Sequence, residues 1–328
     1  MFALSGMCVT RVAGLASYHG GMAHSAPLYE RVASAPPIPR GLPLVIALTG
    51  FTDAGSAVSR LVDYFRDDLE PTPIAVFSND VLLDYRARRP LISFDQDHLT
   101  DSRAPRLELS FAHDSLGQPF VLLAGYEPDF AWDAFTDAVL DFAAAYEVNS
   151  VTWVHAIPMP VPHTRPIGTT VSGTRSDLTE AHSVWQPHTQ VPATAGHLLE
   201  YRFAEAGASV AGFVLLIPHY LGDTEYPAAA LAGLDSLTVA TGLVFAGDEL
   251  REENREYLAK VEEQVSGSDE LSRMVQGLEE RYDAYMAGST LASPMIHTGD
   301  LPSADELAAE LERFLANRPS GDDEKRGA

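Results

Sequence analysis

Five short, nearly continuous apolar runs constrain this chain more than any other feature: LVIALTG (44–50), PIAVF (73–77), PFVLLAG (119–125), SVTWVHAIP (150–158) and ASVAGFVLLIP (208–218). A strand with one wet face alternates apolar and polar residues, so runs that stay apolar throughout belong to strands covered on both faces. Helical stripes lie between them. Val58, Leu61, Val62 and Phe65 recur at i, i+3, i+4 and i+7, with Asp53 or Ser56 placed to cap. Phe130, Ala134, Phe135, Ala138, Val139 and Phe142 mark a second apolar face, with Asp133, Asp137 and Asp141 as its solvated row, and AGHLLEYRFAEAG gives a third helix. RLELSFA (106–112) alternates, and the LGQ turn returns it to the run at 119, as in a hairpin. The expected fold class is α/β: a three-layer α/β/α sandwich with a mainly parallel sheet.

At 328 residues and 46% hydrophobic content, such a chain can bury about three quarters of its unfolded surface. Its 46 acidic and 22 basic residues give a formal charge of -24, which repels polyanions, so nucleic acid is not an expected partner. No run approaches the roughly 20 apolar residues of a membrane span. Cys8 is the single cysteine and has no partner for an intramolecular disulfide, which fits a reducing cytoplasm.

Composition also divides the chain. Residues 1–35, rich in Gly, Ala and Ser, read as a flexible leader, because no basic residue precedes Arg11 and VAGLA is too short for a signal core. The α/β core is expected over 36–246. From Asp248 to Asp283 there are 12 acidic and 5 basic residues, yet Leu271, Met274, Val275, Leu278, Tyr282 and Tyr285 keep a helical apolar period. Ser303 and Glu306 form a capping-box pattern before Leu307, Leu311, Phe314 and Leu315. A helical lobe is therefore expected over 247–318, with a charged tail at 319–328.

Three stretches carry possible chemistry. In GFTDAGSA (50–57) the glycine spacing is that of a phosphate loop, but the lysine is missing. Either its amides form a weak anion cradle with Asp53 orienting a ligand, or the glycines make a turn and Asp53 caps the helix. In DYRARRP (84–90), Arg86 and Arg89 suit an anionic ligand or acidic partner, or form ordinary ion pairs with Asp80 and Asp84. In VHAIPMPVPHTRP (154–166), His155 falls at a strand's carboxyl end, where open α/β sheets bind ligands, and His163 and Arg165 follow in a proline-stiffened loop. A histidine there could serve as acid or base while Arg165 holds an anion; equally, the loop could shape a subunit interface. His182, His188, His197 and His219 show no metal-ligand spacing, and neither a cofactor nor a metal is expected.

GFTDAGSA, DYRARRP and MPVPHTRP, in that order over residues 42–245, resemble the proteasome assembly chaperone 2 family in its actinobacterial branch. The resemblance implies a core similar to purine nucleoside phosphorylases and, in eukaryotic and archaeal relatives, a role in proteasome assembly. Eukaryotic chaperones of this kind dock through a carboxy-terminal motif of hydrophobic, Tyr and variable residues, whereas this chain ends EKRGA. The expected function is a non-catalytic, self-associating scaffold or assembly chaperone, a homo-oligomer with a trimer among its forms, with a proteasome-related partner. The alternative is an enzyme on a nucleoside-like or amide substrate using His155, His163 and Arg165.

Overall fold

The computed structural model describes residues 27–185 and 188–288. Most of the expected leader, with Cys8, lies outside these residues, as do the Ser303 capping box and the charged tail. The strands are β1 (Tyr29–Arg31), β2 (Pro43–Thr49), β3 (Thr72–Phe77), β4 (Leu91–Asp95), β5 (His98–Arg103), β6 (Leu107–His113), β7 (Pro119–Tyr126), β8 (Ser150–Met159), β9 (Gly168–Gly173) and β10 (Val210–Pro218). The helices are α1 (Ala57–Asp68), α2 (Asn79–Leu82), α3 (Trp132–Ala145), α4 (Ser176–His182), α5 (Ala195–Glu205), α6 (Pro227–Thr241), α7 (Asp248–Ser266) and α8 (Asp269–Met286).

Eight strands form one sheet in the order β1-β3-β6-β7-β2-β8-β10-β9. All five apolar runs are strands of this sheet. Its centre, β7-β2-β8-β10, is parallel, and both flanks are antiparallel, so the sheet as a whole is mixed. The reason is local. The turn between β6 and β7 runs only from Asp114 to Gln118, closed by Asp114 N donating to Gln118 O at 2.9 Å, and so short a connection permits only an antiparallel pair.

Alternation along the central strands divides the core in two. Val45, Ala47, Leu122, Val154, Ala156 and Phe213 face α1 and α6; Leu44, Ile46, Val121, Leu123 and Trp153 face α3 and α5. Val58, Leu61, Val62 and Phe65 of α1 are all buried, as their spacing predicts. On α3 the buried face is Phe135, Thr136, Val139 and Phe142. Phe130, expected to point inward, is half exposed because the helix starts only at Trp132, and Ala134, in the first turn of the helix, is also exposed. Helix α7 lays Leu250 and Val261 onto the α1–α6 side of the core, and α8 buries Val275 and Leu278.

The outer strand β9 is covered by the segment that follows it. Val184 N donates to Thr169 O at 2.9 Å, Val171 N to Ser183 Oγ at 2.9 Å, and Thr170 Oγ1 to Trp185 O at 3.0 Å. No helix among the described residues is long and apolar enough to cross a membrane.

Candidate functional site

The parallel strands β2, β7, β8 and β10 end on one rim, and the loops that leave it carry most of the chain's conspicuous polar residues. At the centre stands Glu127, immediately after β7 and buried. Its Oε1 accepts from Ala195 N at 2.6 Å and its Oε2 from Phe51 N at 3.2 Å. The first amide opens α5, so the carboxylate sits on a helix amino terminus, where negative charge is favoured. Gly50 is required here because a Cβ would lie 2.1 Å from Glu127 Oε2.

The second half of the glycine loop is arranged in the same way. Asp53 accepts from Val58 N at 2.7 Å and from Ser59 N and Oγ at 2.9 and 2.7 Å, closing the start of α1. Gly55 has a φ of +69° and packs against Tyr226 and Ala229, while its N–H donates to Gly222 O at 2.7 Å. The protein's own acceptors thus engage the amides of Phe51, Gly55, Ser56, Val58 and Ser59: the Glu127 and Asp53 carboxylates and the carbonyls of Gly222 and Asp53.

Beside Glu127 lies a buried aromatic and imidazole cluster. The ring centroids of Trp153 and His197 are 4.8 Å apart and those of His155 and His197 5.8 Å. Burial, reinforced by His197 and opposed by Asp53, pushes the His155 pKa down to about 4, leaving it neutral at physiological pH. Burial also lowers the pKa of His197, whose Nδ1 accepts from Thr194 N at 3.1 Å in a capping box at the start of α5. Trp153 Nε1 and Ser172 Oγ donate to Glu200 Oε2 at 2.6 and 2.9 Å. A cavity of about 10 Å3 opens between Gly50, Glu127, His155 and Thr194, room for about one water. A neutral imidazole can accept a proton, but nothing larger than water fits beside it here.

His163 and Arg165 belong elsewhere. They line a cleft of about 580 Å3 on the α6 side of the sheet that shares no residue with the small cavity. His163 Nδ1 lies 2.7 Å from Tyr220 Oη, and burial lowers its pKa. Arg165 Nε and Nη2 hold Asp283 of α8 at 2.9 and 2.7 Å, and Nη1 holds Glu279 at 3.2 Å. Asp53 and His155 are neighbours, since the Asp53 backbone bridges to Ala156 of β8 and its charge acts on the His155 ring. Arg86 and Arg89 are exposed, Arg86 lying 3.7 Å from Asp84. The inward arginine of that loop is Arg88, which donates to Glu127 O at 2.6 Å, pairs with Asp129 and covers the Tyr126 ring at 5.1 Å. Among the described residues no group of three or more His, Cys, Asp or Glu side chains is placed to hold a metal ion.

Glu127 was not among the residues singled out from sequence. Its signal is positional: an acid directly behind an apolar strand, on the rim that the GFTDAGSA loop occupies.

The profile of the PAC2 family matches residues 47–265. The chain belongs to the PAC2 family. A solved protein of unknown function from Mycobacterium tuberculosis is 41% identical with a TM-score of 0.74, covering 83% of this chain and 95% of its own. Another from Corynebacterium glutamicum is 33% identical with a TM-score of 0.76, covering 79% of this chain and 98% of its own. A proteasome-assembly chaperone homologue from M. tuberculosis shares the PAC2 fold at 21% identity and a TM-score of 0.65, covering 71% of this chain and all of its own. No curated protein matches the sequence. The PAC2 match spans both the Glu127 cluster and the α7 side of the large cleft.

Proposed function

We propose that this PAC2 protein is a self-associating, non-catalytic scaffold of assembly-chaperone type, working in the cytoplasm with a proteasome-related partner. The observation that carries the reading is the β4–β5 ribbon. It stands as a separate two-stranded sheet, with Leu91, Ile92, Phe94 and Leu99 between 53% and 72% exposed. A two-stranded ribbon with no third layer is marginal in water, and clustered exposed apolar side chains mark an interaction surface. Another copy of the chain, in a trimer or a related ring, provides the cover. The partner is inferred by analogy with the M. tuberculosis chaperone homologue.

An enzymatic reading needs His155, His163 and Arg165 in one cleft, and they are divided between two. Sedimentation velocity tests the scaffold. The wild-type chain is expected to sediment as an oligomer at about 10 μM, above the dissociation constant expected of a stable interface. The triple variant Leu91→Ser, Phe94→Ser, Leu99→Ser is expected to sediment as a monomer with unchanged circular dichroism. A wild-type monomer, or a variant oligomer of undiminished size, would overturn the reading.

A further inference from the structure

The chain carries an apolar protrusion and an apolar recess that its own fold leaves apart. Phe94 of β4 faces Leu99 of β5 across the ribbon, and Ile92 lies two residues before Phe94, so the three share one face. All three are more than half exposed. The recess is the cleft of about 580 Å3, where Ile167, Val184, Leu231, Val239 and Leu258 present apolar surface. None of these five is fully buried, and Val239 is 47% exposed.

The two features belong to opposite flanks of the sheet. The ribbon falls in the chain between β3 and β6, whereas the cleft is built on β9, β10, α6 and α7. Between β6 and β10 stand β7, β2 and β8, a separation of about 19 Å. The ribbon of one copy meeting the cleft of the next is therefore a head-to-tail contact, the kind that closes into a ring when the rotation between copies permits it.

Charge supports the match. In a chain of formal charge -24 copies repel one another, so a contact between them is favoured where opposite charges meet. Arg89 stands two residues before β4, and Arg103 is opposite Leu91 at the ribbon's base; both are exposed. Ribbon against ribbon about a two-fold axis would gather these like charges. The cleft instead offers Asp235, exposed on α6, and Glu262 of α7 near His163. The ribbon's acids, Asp95, Asp97 and Asp101, lie toward its turn, and the cleft also carries His163 and His182.

We propose that the ribbon of one copy inserts into the large cleft of the next, with Ile92, Phe94 and Leu99 against Leu231, Val239 and Leu258 and the basal arginines toward Asp235. This assignment rests on the scaffold reading and names the surface that covers the ribbon.

Disulfide trapping in a Cys8→Ser background tests it. Full-length chains carrying Phe94→Cys are mixed with chains carrying Val239→Cys at about 10 μM, the concentration set for sedimentation. Mild oxidation is expected to give dimers with one chain of each kind, and the double variant a ladder that ends at the size of the ring. Val239→Arg places a charge on an exposed position four residues after Asp235, so it is expected to keep the wild-type circular dichroism and to sediment as a monomer. Absence of the mixed dimer, cross-links confined to Phe94→Cys chains, or an undiminished oligomer in Val239→Arg would each overturn the proposal. A wild-type monomer removes the scaffold reading and this one together, whereas an oligomer broken by the triple ribbon variant and untouched by Val239→Arg removes this one alone. Should Val239→Arg fold poorly, the trapping decides.

Discussion

Glu127 Oε1 and Ala195 N are 2.6 Å apart although 68 residues separate them in the chain. This single contact joins the end of β7 to the start of α5, and the other oxygen of the same carboxylate reaches Phe51 at the end of β2. The carboxylate is therefore a three-way junction, and its removal tests how firmly the rim is held.

Glu127→Ala is expected to lower unfolding stability by about 2 kcal/mol, the contribution of charge-assisted hydrogen bonds to one buried and one partly buried amide. Gly50→Ala is expected to be at least as damaging, because the new methyl meets Glu127 at 2.1 Å. The two penalties share one cause. In urea denaturation the double variant should be clearly less destabilised than the sum of the singles. Strict additivity would show that Gly50 is needed for another reason.

His155 predicts a loss of stability in acid. Its folded pKa, about 4, lies below the ordinary 6.5, so between these values the unfolded chain takes up a proton that the folded chain does not. Stability from this group is complete above pH 6.5 and falls as the pH drops toward 4, by up to about 3 kcal/mol. Urea midpoints measured from pH 7 to pH 4.5 should fall less steeply for His155→Phe than for wild type; parallel slopes would refute the assignment.

Glu200 acts in the opposite sense. Burial raises its pKa despite hydrogen bonds from Trp153 and Ser172, so ionisation near neutral pH works against the fold and that penalty lessens in acid. Glu200→Gln keeps an acceptor for Trp153 and is expected to match or exceed wild-type stability at pH 7. Glu200→Ala is expected to cost about 1–3 kcal/mol by leaving the buried indole N–H unpaired. Thermal melts of the two variants, with Trp153 contributing to the fluorescence, distinguish these outcomes.

The clasp between the proline loop and α8 is the fourth test. Arg165 grips Asp283 with two nitrogens, and Tyr285 Oη donates to Val184 O at 2.7 Å. Arg165→Ala is expected to speed amide exchange in the last turns of α8 with little change in melting temperature, because exposed ion pairs add little to global stability. Hydrogen-exchange mass spectrometry reads it directly; unchanged protection of 279–286 would count against a clasp.

The layers of this fold were legible because burial on both faces leaves an unbroken apolar run, as in Leu44–Ala47 and Phe120–Leu123. The α1 stripe was legible for the same kind of reason. The β4–β5 ribbon was not: LISFD and HLTDSR are exposed almost throughout, so no buried face imprinted a period on them. Within the candidate site, position along the chain placed His155 at a strand's carboxyl end, whereas β8 continues past it to Met159, still paired with β10. The split between His155 and His163 was hidden because it depends on which side of the sheet the proline loop leaves. Glu127 was hidden because its partners, Phe51 and Ala195, are distant in sequence. Nothing in the order of DYRARRP distinguishes Arg88 from Arg86 and Arg89; the fold of the loop turns its guanidinium inward and leaves the other two in solvent.

The cover over β9 bears on how copies of this protein can meet. Ser183, Val184 and Trp185 already occupy groups along that outer strand, so no second sheet can extend this one there by main-chain pairing. Edge-to-edge growth of the sheet from that side is thereby closed off, and a neighbour meeting this edge meets side chains instead of free main-chain groups.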